Sequence, residues 1–255
     1  MNMNIEIHDL GKAELFVSVF QHFRQFTDHV NLMFKTDALF IQSMDSGKVI
    51  VFEVSIPATW FTEYSSDDQT LGVNTTLIYK VMNTRDKTQF ISLKSEDTDV
   101  LSVRFSGEDK QIFDRFFEIP LLDLEMELLE IPEIDHQAEF SISSVNFAGL
   151  IHQMKQFGDN MQIDCTEEKI VLGSFSIDQG KMFAEISIDE LNEFAIEEGE
   201  NIKISFSLKY LHDICLYHKL TKFVEIKISA DFPMVIIYRL IDDAIMKFYL
   251  APKID

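Results

Sequence analysis

The sequence predicts an α+β protein of two similar β-rich domains, each carrying two helices on one face of its sheets. Three observations lead there. The chain repeats itself at domain length, its helical periodicity is confined to four short segments, and the rest is crowded with short runs of β-branched and aromatic residues. In the repeat, residues 16–41 lie over residues 147–172 without a gap at an offset of 131, with Phe16 on Phe147, Arg24 on Lys155, Phe26 on Phe157 and Asp28 on Asp159. A weaker match at an offset of 134 sets residues 90–104 over 224–238 and Asp97 over Asp231. The period equals a domain, so the chain reads as two copies of one module.

Residues 12–26 place Leu15, Phe16, Val19, Phe20, Phe23 and Phe26 at i, i+3, i+4 spacing, the stripe of an amphipathic helix. Strand-like runs follow, among them residues 49–56, 90–94 and 101–105. A second helix is predicted at 75–85, after the turn-like Leu71-Gly72-Val73-Asn74. The second half repeats this order with strands at 139–142, 224–229 and 234–240 and helices at 147–157 and 207–222. Between the halves, residues 120–133 are bounded by Pro120 and Pro132 and carry Asp123, Glu125, Glu127, Glu130 and Glu133 with no base. Prolines at both ends favour an extended surface connector over a short acidic helix, because proline lacks a backbone donor and biases its predecessor away from the α region. The domains are therefore set at 1–119 and 134–255, with the connector at 120–133.

The 255 residues are 46% hydrophobic, enough for ordinary cores. No run approaches the ~20 apolar residues of a membrane span, and the N-terminal residues lack the apolar stretch of a signal peptide. No membrane role is expected. Cys165 and Cys215 stand fifty residues apart without zinc-finger spacing and read as reduced packing residues. Phosphate-binding loops, HExxH and GxSxG are absent, and the seven histidines are scattered, so neither an enzyme nor a bound cofactor or metal is expected. Acid pairs such as Asp67-Asp68 and Asp242-Asp243 read as solvated turns.

A net charge of −21 argues on its face against nucleic acid, since phosphate binding needs a basic footprint. The charges are segregated, however. The windows 12–26, 75–85, 145–157 and 207–222 hold eight basic residues (Lys12, Arg24, Lys80, Arg85, Lys155, Lys209, Lys219, Lys222) and two acidic ones (Glu14, Asp213), while the other 200 residues hold 14 basic and 41 acidic. The helices are net basic by six and the remainder net acidic by 27.

Six strings in order then resemble one family: Ile41 to Ser46, Leu71 to Asn74, Leu93 to Asp97, Leu121 to Glu133 ending Ile-Pro-Glu, Ser229 to Pro233, and the terminal Tyr249-Leu250-Ala251-Pro252-Lys253-Ile254-Asp255. These resemble the proliferating cell nuclear antigen family, the eukaryotic and viral type of DNA sliding clamp. The resemblance implies the DNA clamp fold, a homotrimeric closed ring around duplex DNA, and service as a processivity factor in replication and repair. A subunit of a heterotrimeric or checkpoint-type clamp is the alternative. It implies non-specific DNA contact through Arg24, Lys80, Arg85, His152, Lys155, Lys209, Lys219 and Lys222, with His152 where the family usually carries a basic residue. Taken singly, each is equally readable as decoration on a solvated helix face. DNA polymerase, clamp loader, flap endonuclease and DNA ligase are the implied partners, docking QxxLxxFF-type motifs on Met44, Val49, Val51, Leu129, Ile131, Pro132, Pro233, Tyr249, Ala251 and Pro252. Without the family, Val49, Val51 and Pro233 read equally as core or turn. Trimer contacts are implied at edge strands 112–119 and 181–188, through Phe113, Phe116, Phe117 and Phe183, for which buried core is the even alternative. Further departures are Pro120 at the end of the first edge strand, Glu167 where some relatives carry a modifiable lysine, and Lys48 in place of a common pocket histidine. The implied location is nuclear, or a viral replication compartment in the host cell.

Overall fold

A computed structural model describes residues 3–96 and 99–253. Asp97, Ile254 and Asp255 of the matched strings lie outside the described residues. The chain clusters into two compact units. One gathers the chain up to Ser46, Glu53–Leu129 and Ile241–Ile245, and the other gathers Gly47–Phe52, Glu130–Leu240 and the chain from Met246.

Up to the connector the order is β1 (Met3–Ile7), α1 (Leu10–Phe20), β2 (His29–Phe34), β3 (Ala38–Met44), β4 (Ile50–Pro57), whose first three residues belong to the second unit, β5 (Glu63–Ser66), β6 (Gln69–Asn74), α2 (Thr75–Met82), β7 (Phe90–Ser95), β8 (Val100–Ser106) and β9 (Arg115–Pro120). After the connector follow β10 (Ala138–Ser143), α3 (Ser144–Met154), β11 (Asn160–Cys165), β12 (Lys169–Ser176), β13 (Gly180–Ser187), β14 (Glu193–Ile196), β15 (Ile202–Ser207), α4 (Leu208–Cys215), β16 (Phe223–Ile228), β17 (Met234–Arg239) and β18 (Ile245–Leu250), whose first residue belongs to the first unit.

The same pairing pattern is built twice. β1 pairs antiparallel with β5 and β7, as β10 does with β14 and β16. β2 pairs with β3 and β6, as β11 does with β12 and β15. The internal repeat of the sequence is thus a repeat of strand pairing. In the first unit the sheet β5-β1-β7-β8-β9 ends on β9, and in the second the sheet β13-β12-β11-β15 ends on β13.

The helices start where the sequence supplies a cap. The Asp9 side chain accepts from Lys12 N at 2.9 Å, Asn74 from Leu77 N at 2.9 Å and Ser143 from Asn146 N at 3.4 Å. Each buries its apolar stripe. Phe16, Phe20 and Phe23 are at most 1% exposed and form a chain of ring contacts, with Phe16 also meeting Trp60 and Phe61. Each such Phe contributes roughly 1.5–3 kcal/mol through burial.

The predicted helices are too long at their C-terminal ends. α1 stops at Phe20 and a 3-10 turn, Phe23–Gln25, carries Arg24, while α4 stops at Cys215. Lys219 and Lys222 therefore sit in the turns leading to β16 rather than on a helix. Residues 123–133 form neither helix nor named strand.

Candidate nucleic-acid and partner interfaces

The cations of the helical segments divide by environment. Arg24, Lys80, Lys155, Lys209, Lys219 and Lys222 are exposed, and none is ion-paired with a carboxylate among the described residues. Several strand cations are paired instead: Arg104 with Asp114 at 2.7 Å, Lys169 with Glu185 at 2.8 Å, Lys203 with Asp164 at 3.1 Å and Lys227 with Glu139 at 2.6 Å. An exposed cation without a carboxylate partner keeps its field for an incoming anion. Arg24 lies with its guanidinium 3.9 Å from the centre of the Tyr79 ring of α2, a contact that fixes the charge without neutralising it.

Two basic residues leave the set. Arg85 is a correction: its side chain is 1% exposed, its Nε donates to the Gln89 carbonyl at 2.7 Å, and its other nitrogens donate to Lys87 O and Glu14. Burial draws its pKa below the usual guanidinium value, and Glu14 opposes that shift. Its charge serves the turn after α2. Lys12 is likewise spent, with Nζ 2.6 Å from Asp242 and 2.8 Å from the Trp60 carbonyl.

His152 is exposed on α3, and its ring centre lies 6.0 Å from that of His212 on α4, which the sequence did not mark. His212 escaped notice because its neighbour is a residue of another helix, and no motif connects the two.

Hydrogen bonds within the first unit fasten the connector at several points. Leu122 N donates to Gly72 O at 2.9 Å, Asn31 Nδ2 to Leu124 O at 3.3 Å, and Gln42 grips Leu129 at both backbone groups, accepting from its N at 2.7 Å and donating to its O at 2.9 Å. Gly72 is required here, since a Cβ would lie 2.2 Å from the Leu122 carbonyl oxygen. Asn31 and Gln42 are buried, at 5% and 6% exposure. Held in this way, the connector exposes Leu122, Met126, Leu128 and Leu129, each between 36% and 47%. Its five carboxylates are exposed as well. Gln42 and Gly72 lay in the matched strings, but nothing in their spacing shows that they hold the connector.

The expected groove residues fall in both units. Met44, half-buried at the end of β3, and the exposed Leu129 belong to the first. Val49, Val51, Ile131, Tyr249, Ala251 and Pro252, all half-buried, belong to the second with the exposed Pro132 and Pro233. There Ala251 N donates to Val49 O at 2.9 Å, tying the C-terminal segment to the stretch before β4. Lys48 is exposed at a left-handed φ of 56°. Glu167 accepts from Gly199 N at 2.7 Å, a structural use of the position where some relatives carry lysine.

Both expected edge strands lie at sheet edges. Phe116 on β9 is 69% exposed and Phe183 on β13 is 61% exposed, far outside the usual range for large apolar side chains. Phe117 is half-buried against Phe105, with ring centres 5.7 Å apart. Phe113 is 83% exposed but precedes β9, so the strand begins later than the expected residue 112. Pro120 ends β9 opposite Val100.

Comparison with known proteins agrees with this architecture over nearly the whole chain. The family model for the proliferating cell nuclear antigen N-terminal domain matches residues 5–128, and that for the C-terminal domain matches residues 130–253. The proliferating cell nuclear antigen of Chaetomium thermophilum is 27% identical over 252 residues, covering 96% of each chain. The crystal structure of the corresponding protein from Entamoeba histolytica superposes with a TM-score of 0.88 at 24% identity, covering 99% of each chain. Matched in both domains by sequence and along its length by fold, the chain belongs to the proliferating cell nuclear antigen family of non-enzymatic DNA sliding clamps.

Proposed function

We propose that three copies of this chain close into a ring that encircles duplex DNA and serves as a processivity factor and docking platform for replication and repair proteins. The observation that carries this reading is the exposure of Phe116 and Phe183 on two sheet edges, one in each unit. An edge strand presents unpaired backbone groups, and a closed ring satisfies such edges between subunits. Two different edges joined head to tail generate a cycle.

The DNA contact falls to Arg24, Lys80, Lys155, Lys209, Lys219 and Lys222, with His152. An otherwise acidic protein that bears a few unpaired cations attracts phosphates weakly, and topology rather than affinity then keeps the duplex in place. Partners are DNA polymerase, clamp loader, flap endonuclease and DNA ligase. They dock a single helical turn of the QxxLxxFF type against Met44, Leu129, Ile131, Pro132, Pro233, Tyr249, Ala251 and Pro252, a helix-in-groove contact. The site of action is the nucleus, or the replication compartment of an infected cell for a viral protein.

Light scattering on the purified chain tests the reading. A particle of about three times 29.6 kDa is expected, and Phe116→Glu with Phe183→Glu shifts it to monomer. A wild-type monomer at micromolar concentration overturns the homotrimer in favour of a clamp built with other subunits.

A further inference from the structure

We propose that His152 and His212 form a proton-linked phosphate-binding pair, so that this clamp grips DNA more strongly as pH falls. The inference rests on the DNA-contact reading above and adds a titrating element to it.

The two units make the case by comparison. α2 and α4 each have eight residues, and Tyr79 and His212 are the fifth residue of each. In the first unit the Tyr79 ring meets Arg24, a permanent cation, at 3.9 Å. In the second, the ring at that position is an imidazole, and it meets another imidazole at 6.0 Å with planes 35° apart. Where one unit has a fixed charge on an aromatic ring, the other has two rings whose charge depends on protonation.

One carboxylate of α4 competes with an incoming anion for the pair. His212 Nδ1 is buried without a hydrogen-bond partner among the described residues, and the carboxylate of Asp213 stands 3.5 Å away. Lys209 lies one turn before His212, and Lys155 follows His152 at the same spacing just beyond α3. On the strands packed against these helices the charged groups are committed to one another: Glu139 with Lys227, Glu225 with Arg239 and Asp164 with Lys203. They alternate with the buried residues of β10, β16, β11 and β15 and so point to the opposite face of the sheet. Two imidazolium groups at this separation, beside two lysines and one carboxylate, repel each other. A phosphate oxygen between them relieves that repulsion, so DNA binding and proton uptake favour each other.

The test is fluorescence anisotropy of a short duplex titrated with the full-length protein over a range of salt, at about pH 8 and about pH 6. At the lower pH the slope of log K against log salt steepens by about 0.9 for each histidine that gains a phosphate. His152→Gln with His212→Gln flattens this pH-dependent steepening. A wild-type slope identical at the two pH values overturns the inference, as does a double variant that keeps the full steepening, which would assign it to other histidines. Lys80→Gln with Lys155→Gln and Lys209→Gln, measured at about pH 8, checks the underlying DNA reading separately. If that variant binds as the wild type does, the DNA-contact assignment itself falls.

Discussion

Replacing Gln42 by Ala releases the connector at Leu129. The Gln42 side chain accepts from Leu129 N at 2.7 Å and donates to Leu129 O at 2.9 Å, and its amide also donates to Glu53 Oε1 at 2.9 Å. Leu129 is 42% exposed, so water replaces the lost partners and the cost is the net value of two hydrogen bonds, about 1–3 kcal/mol at 0.5–1.5 kcal/mol each. Local opening of the connector then becomes roughly 5- to 140-fold more frequent, at a factor of ten per 1.4 kcal/mol. Native-state hydrogen exchange reads this directly at the Leu129 amide. Amides of β8, which are held by strand pairing on both sides, keep their wild-type rates. A connector-docking peptide loses affinity in parallel, because the exposed Leu128 and Leu129 are no longer held in one place. Unchanged exchange at Leu129 in the variant would refute the claim that Gln42 holds the connector.

Three further perturbations follow from other contacts. Gly72→Ala drives a Cβ to within 2.2 Å of the Leu122 carbonyl oxygen and 2.9 Å of Leu124 Cγ, so it lowers stability by about 1–3 kcal/mol in denaturant unfolding and frees the start of the connector; a midpoint equal to wild type contradicts the close approach. Arg85→Ala removes three internal donors, so it costs about 1–3 kcal/mol in stability and leaves the salt dependence of DNA binding as it was; a shallower salt slope would return Arg85 to the DNA contact set. Burial pushes the Cys165 thiol up to about 11 and the Cys215 thiol higher still, so neither is alkylated at neutral pH in the native protein, while both react in denaturant; rapid native labelling would contradict their burial.

Local pattern carried much of this architecture. The i, i+3, i+4 stripe of α1 and the turn-like residues before α2 follow from neighbours in sequence. The helix ends were less legible for a physical reason. Phe23 and Phe26 keep the helical spacing of buried residues after α1 has ended, and Tyr217 does the same after α4, because the core needs their side chains even where the backbone turns. The charge segregation was visible as a count over windows, but which cations remain unpaired was not. Arg85 is neutralised by Glu14, 71 residues away, and Lys12 by Asp242 near the other end of the chain. Gln42 reaches Leu129 across 87 residues, and His212 meets His152 only because α3 and α4 pack together. Such pairings are set by the fold, and a single sequence carries no local mark of them.

Enclosure rather than charge as what holds DNA in the proposed ring is tested most directly by retention on closed and cut DNA. The protein is placed on nicked circular duplex with a eukaryotic-type clamp loader and then washed in salt high enough to screen surface electrostatics. The account predicts that it stays on the circle and is lost once the circle is linearised. Equal loss from both forms, or equal retention on both, would contradict it.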